Sequence, residues 1–144
     1  MIVIGFDQQD YRFSYLKNKN RKGRSKLHSK ARSVIENVFP DLPLYEEVTL
    51  PGSKRGIGSS LLIADFFIPD LMLVIESHGQ QHYKYIPHFH GARPQGFQNF
   101  VKAKIRDNDK VEWCNMNNID LLEFAYNETE QEWKMKLMQM RPRD

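Results

Sequence analysis

Asp65 and Glu76 stand on two short apolar runs, and Ser77, His78, Gly79 and His82 follow the second acid at once. Two carboxylates delivered by adjacent strands suit a hard divalent cation. Magnesium takes oxygen ligands, keeps several waters, and needs only one or two protein carboxylates plus the phosphate oxygens of a substrate. The pair therefore points to phosphodiester hydrolysis. A carboxylate between Ala64 and Phe66 would be costly to bury without a partner, which favours a functional role over simple strand-end capping. His78 and His82 add groups that donate a hydrogen bond to phosphate or accept a proton from water near neutral pH.

The elements that must hold these residues are legible from spacing. Ser25 is a good helix N-cap, and Leu27, Ala31, Ile35 and Val38 follow at helical intervals up to Pro40, predicting a helix over Ser25 to Phe39 that also carries Glu36. Leu44 to Leu50 reads as a strand, and Pro51 to Ser60, rich in Gly, Ser, Lys and Arg, as a loop. Leu61 to Ile68 and Leu71 to Ser77 are two central β-runs joined at Pro69-Asp70 by a tight hairpin. The segment from His78 to Gln98 has no sustained periodicity and reads as a long functional loop. Phe97, Val101, Ile105, Val111, Trp113 and Met116 predict a helix over Gln98 to Met116 with Lys102, Lys104, Arg106 and Lys110 on its polar side. A strand over Ile119 to Ala125 and a closing helix over Thr129 to Met140 complete an α/β order.

With 144 residues, 40% of them hydrophobic, the chain can bury one core. The expected organisation is an N-terminal extension over residues 1–24 and a single domain over 25–144. No apolar run approaches a bilayer span, and the start lacks a signal-peptide layout, so an intracellular, cytoplasmic protein that does not enter membranes is expected. The single cysteine, Cys114, forms no internal disulfide. His88 and His90 with His82 or Cys114 match no strong zinc-ligand spacing.

The net charge of +3 is unevenly spread. Lys17, Lys19, Arg21, Lys22, Arg24, Lys26, Lys30 and Arg32 crowd one stretch that contains no acid. Such a stretch neutralises phosphates and releases their counterions, which predicts salt-dependent contact with nucleic acid, although a solvated basic loop has the same composition. Lys54 and Arg55 add charge to the loop before the first carboxylate run.

The order helix, three strands, helix, strand, helix, with acids on the second and third strands, resembles the PD-(D/E)XK nuclease superfamily over about Ser25 to Ala125. Ala64-Asp65-Phe66, then Ile75-Glu76-Ser77-His78-Gly79 and His82, looks most like the very-short-patch-repair endonucleases and the EDxHD homing endonucleases of phages and introns. Lys104-Ile105-Arg106-Asp107-Asn108-Asp109-Lys110 before a Trp-Cys pair, then Ile119-Asp120-Leu121-Leu122, is similar to the helix and strand that follow their active sites. The resemblance implies a restriction-endonuclease-like core, a central mixed β-sheet flanked by helices. It assigns Asp65, Glu76 and the Ser77 carbonyl to Mg2+, for which Mn2+ should substitute, with His82 as general acid or base. Glu36 would hydrogen-bond a metal-bound water, and Asp107 would orient a histidine or serve that same water. His78 stands where the superfamily carries a lysine, and the patch-repair zinc cysteines are absent apart from Cys114.

The expected function is metal-dependent hydrolysis of double-stranded DNA, with basic residues holding the backbone and Arg55 and Arg93 reading bases. An inactive nuclease-fold DNA-binding protein and a repair or junction-resolving nuclease are the alternatives. One active site per chain means that cutting both strands calls for a homodimer, sequential nicking, or rotation on the DNA.

Overall fold

The computed structural model of the chain describes residues 1–18, 25–55 and 59–140. Its centre is a four-stranded mixed sheet made of β3 (Tyr45–Thr49), β4 (Ile63–Ile68), β5 (Leu73–His78) and β6 (Asp120–Ala125), in that spatial order. β3 with β4 and β4 with β5 are antiparallel, whereas β5 and β6 are parallel. A parallel neighbour needs a crossover. It is supplied by the long helix α3 (Gln95–Met116). The antiparallel step from β4 to β5 needs only the 3-10 turn Pro69–Leu71 and Met72 in the left-handed region at φ 49°.

Helix α1 (Lys26–Val38) starts where Ser25 Oγ accepts the His28 backbone N–H at 3.2 Å, so the N-cap satisfies one of the first-turn donors. Its Ala31, Val34 and Ile35 pack with Phe66, Ile68, Leu73, Ile75 and Phe124 of the sheet. Trp133 and Leu137 of α4 (Glu130–Met138) close the same side. The second cluster joins Val48, Ala64, Phe67 and Val74 to Trp113 and Cys114 near the end of α3. It also includes Val3 and Phe13, which flank or lie on the small antiparallel ribbon of β1 (Ile2–Ile4) and β2 (Asp10–Arg12). The N-terminal residues therefore share the core of the domain that follows them. Strands β4 and β5 are apolar on both faces because both faces are covered.

Two expectations change. The segment after His78 contains a 3-10 turn, Gln80–His82, and a short helix α2, Pro87–His90, and α3 begins at Gln95, earlier than expected. Phe97, Val101, Ile105 and Val111, read as an inward stripe, are exposed. The first turns of α3 meet α2 instead of the sheet: Gly96 is buried there, and a Cβ on it would lie 1.7 Å from the Gly91 carbonyl oxygen. Among the described residues no helix is long and apolar enough to cross a membrane.

Glu46 on β3 is wholly buried beneath α1. Arg32 donates to both its oxygens, Nε to Oε2 at 2.7 Å and Nη2 to Oε1 at 2.8 Å, and His28 Nε2 lies 2.8 Å from Oε1. Hydrogen bonds to a buried charge are strong, and replacing one ionised partner leaves the others poorly matched. Glu46→Gln is expected to lower unfolding free energy by roughly 2–3 kcal/mol, measured by urea denaturation.

Candidate functional site

The register of β4 and β5, with Phe66 opposite Ile75, brings Asp65 alongside Glu76 and Ser77. Each acid is tied to the other strand's backbone. The Asp65 N–H donates to Glu76 Oε2 at 2.7 Å, and the Ser77 N–H and hydroxyl donate to Asp65 Oδ2 at 2.8 and 3.3 Å. From α3, Lys110 Nζ donates to Glu76 Oε1 at 2.5 Å.

Burial, followed by the neighbouring Glu76 charge, pushes the Asp65 carboxyl up to about 6. Glu76 is also buried, which opposes its charge, but the facing His78 ring and the Lys110 ammonium outweigh burial and hold it below the usual range. Lys110 is moved upward despite burial because Glu76, Asp65 and Asp107 surround it. The pair thus contains one firmly ionised acid and one that gives up its proton only near neutrality.

A histidine pair adjoins the acids. His78 ends β5, and its Nδ1 lies 3.0 Å from Glu123 Oε1 on the parallel neighbour β6. His82 sits on the 3-10 turn, and its Nδ1 is 2.9 Å from Asp107 Oδ2 on α3. The two rings stack with centroids 4.1 Å apart and planes 5° from parallel. His78 Nε2 faces Glu76 Oε1 at 3.8 Å and Asp107 Oδ1 at 3.9 Å, beyond hydrogen-bond range of both. Burial works to lower the His78 pKa, but Glu76, Asp107 and Glu123 together raise it. Burial likewise opposes ionisation of Asp107, which His82 more than offsets. Beside this cluster a recess of about 370 Å3, lined by Leu62, Ile63, His82, Asp107 and Lys110 among others, opens to the surface.

Asp65, Glu76, Ser77, His78, His82 and Asp107 are thus gathered in one place. Glu36 is not: it lies exposed on α1 and lines a different recess with Phe39, Asp41 and Leu44. The polar α1 side chains that reach the sheet are His28 and Arg32, and both meet Glu46 of β3. His28, Glu47 and Asp65 bring one ligand atom each within 4.8 Å of one another, with Glu47 held at φ 54°.

Lys17, Lys26, Lys30 and Lys54 are exposed, whereas Lys19, Arg21, Lys22 and Arg24 lie outside the described residues. Arg55, expected to read bases, is engaged within the protein. Its Nε reaches Asp109 Oδ1 at 3.1 Å, its Nη2 meets Glu112 Oε2, and its guanidinium stacks 3.8 Å from the Phe6 ring centre. Arg93 lies over the rings of Tyr85 and Phe97 at 4.8 and 4.5 Å. His90 contacts the Gln81 carbonyl at 3.1 Å, and among the described residues the possible ligand atoms gathered with those of His82 belong to His78 and Asp107, not to His90 or Cys114. Lys110 and Glu123 are the participants that sequence reasoning missed. The available signal was position: Lys110 follows Asp107 by one helical turn.

Among known proteins, the chain is similar to the uncharacterized protein 307L of Invertebrate iridescent virus 6. The two are 35% identical over 108 residues, which make up 75% of this chain and 47% of the relative. The chain therefore spans about half the length of the curated relative it matches. No family model matches it. No solved structure matches it either.

Proposed function

We propose that the chain is a metal-dependent endonuclease acting on double-stranded DNA, built on a restriction-endonuclease-like core of the PD-(D/E)XK superfamily and nearest to its EDxHD and very-short-patch-repair branches. The observation that carries this reading is the linked set of Asp65, Glu76 and Lys110 beside the His78, His82 and Asp107 cluster. The order α1, β3, β4, β5, α3, β6 around a mixed sheet is consistent with it.

The donor set fits a hard cation: two buried carboxylates side by side, with the charge of Asp65 disfavoured by burial and by Glu76. Asp65, Glu76 and the Ser77 carbonyl would hold Mg2+, or Mn2+ in its place. When bound, the ion supplies Lewis-acid polarisation of the phosphate and a more acidic water. His82, oriented by its 2.9 Å contact with Asp107, takes a proton from the attacking water or returns one to the leaving oxygen. Lys110, lodged against Glu76, offers its remaining N–H groups to the phosphate charge that builds in the transition state. It thereby fills the role of the lysine absent at His78. Exposed Lys17, Lys26, Lys30 and Lys54 provide phosphate contacts independent of sequence.

Plasmid DNA incubated with the protein in magnesium, in manganese and in EDTA tests the reading. Cleavage confined to the metal-containing reactions is expected, and binding without cleavage under every metal would sink it in favour of a DNA-binding role. His82→Ala is expected to slow cleavage roughly 10^2-fold while leaving DNA affinity within about twofold, measured by single-turnover kinetics beside a binding titration.

A further inference from the structure

His78 presents a problem that the hydrolytic reading leaves unsolved. Its side chain is 8% exposed, and Nε2 has no hydrogen-bond partner among the described residues. Buried ring nitrogens are nearly always satisfied, so an orphan calls for a water, an ion or a task, and the groups it faces decide among them. The nitrogen is aimed at two carboxylate oxygens, Glu76 Oε1 and Asp107 Oδ1, at 3.8 and 3.9 Å. His78 Nδ1 lies 3.0 Å from Glu123 Oε1, so a ring that keeps its one proton on Nδ1 presents the Nε2 lone pair to those oxygens, where a cation would join them.

We propose that His78, His82 and Asp107 form a second cation site, one that takes a zinc-class divalent ion and lies beside the all-oxygen site at Asp65 and Glu76. The ligand atoms of the three residues all fall within 4.8 Å of one another. Zinc bonds to imidazole nitrogen and carboxylate oxygen at roughly 2.0–2.2 Å, so tetrahedral ligands stand about 3.4 Å apart. Each histidine stands near one oxygen of Asp107: His82 Nδ1 is 2.9 Å from Oδ2 and His78 Nε2 is 3.9 Å from Oδ1. A metal lies in the plane of each imidazole that binds it, so loading the site turns one ring out of the 4.1 Å parallel stack.

The surroundings favour the same ligand class. A metal-binding histidine usually donates its other ring N–H to a carboxylate, which fixes the tautomer and orientation. Glu123 Oε1 stands 3.0 Å from His78 Nδ1, in place to serve as that carboxylate, and accepts from the Tyr83 hydroxyl. Imidazole nitrogen selects zinc, cobalt or nickel over magnesium, whereas the carboxylates of Asp65 and Glu76 make the reverse choice. The two sites thus sort ions by ligand chemistry. On the nuclease reading, an ion on His82 also removes it from proton transfer, so zinc inhibits the magnesium-driven reaction. The binding claim does not depend on that reading.

The test is equilibrium dialysis of the untagged full chain against zinc at pH 7.5 with magnesium in large excess, alongside the visible spectrum of the cobalt(II) form. One zinc per chain and cobalt bands typical of nitrogen ligation are expected. His78→Ala and His82→Ala should each weaken zinc binding by about 10^2-fold or more, and Glu123→Gln by about tenfold. His88→Ala and Asp65→Asn should leave it intact. His82 is only half-buried, so its variant keeps the test open if His78→Ala fails to fold by circular dichroism. No zinc uptake by the wild type, as when a proton occupies Nε2 instead, or uptake unchanged in His82→Ala, overturns the proposal. Zinc uptake by a protein that cuts no DNA supports this site and counts only against the nuclease.

Discussion

Asp65→Asn is expected to abolish metal-dependent cleavage and at the same time to make the metal-free protein more stable at pH 8. The first effect follows from removing the carboxylate placed at the centre of the proposed magnesium site. Lewis-acid stabilisation is worth several kcal/mol in the transition state, so a loss of roughly 10^3-fold or more is expected. The second follows from the carboxyl's environment. Burial and Glu76 push Asp65 from its ordinary 3.8 up to about 6. A carboxyl raised in this way binds its proton more tightly in the folded chain than in the unfolded one. Its contribution to stability therefore falls as pH climbs between about 4 and about 6, and the full penalty persists above that window. The penalty is about 3 kcal/mol. Asparagine keeps the shape and an oxygen for the Ser77 N–H but carries no charge. Urea unfolding in EDTA should show the variant more stable at pH 8 and level with the wild type near pH 4, whereas magnesium should stabilise only the wild type. A variant less stable than wild type at pH 8 would show that Asp65 is a structural ion-pair partner and not a cation ligand.

This juxtaposition was readable in the sequence because it depends on local facts. Asp65 and Glu76 lie on apolar runs with a tight connection at Pro69, so an antiparallel register sets them side by side. Ser25 likewise announces α1 through chemistry confined to one helical turn. What was hidden depends on how α3 is rotated about its axis. Phe97, Val101 and Ile105 advertise an apolar face, but the side turned to the site is Ala103, Asp107, Lys110 and Cys114, spaced at four, three and four residues. That seam has a helical period without a hydrophobic signature, so a pattern based on apolar residues passes over it. The surroundings of Arg55 are hidden for a related reason. Its charge is plain in sequence, but its acidic partners Asp109 and Glu112 lie more than fifty residues away. Glu36 is one position past the inward Ile35, and that single step carries it to the outer face of α1.

Lys110→Met tests the part of the site that only the three-dimensional structure reveals. Glu76 is 2% exposed, and Lys110 meets it at 2.5 Å. Removing the ammonium leaves a buried carboxylate with no matched charge, a change that typically costs about 3–5 kcal/mol. The cost should depend on pH. The stability that Glu76 contributes through its lowered pKa is present above the ordinary carboxylate value and lost as pH falls, so the gap between wild type and variant should narrow on acidification. Adding Glu76→Gln removes the orphaned charge, and the double variant should recover most of the lost stability because the two residues act as one unit. Cleavage should follow a different course. The single variant is expected to lose roughly 10^2-fold in single-turnover rate, and the stable double variant should recover none of it, since both the ammonium and a cation ligand are then gone. Recovery of activity together with stability would assign Lys110 to packing alone. A rate loss in the single variant under conditions where circular dichroism shows it folded would place Lys110 in the chemistry, whereas inactivity of the double variant would not, since it also lacks Glu76.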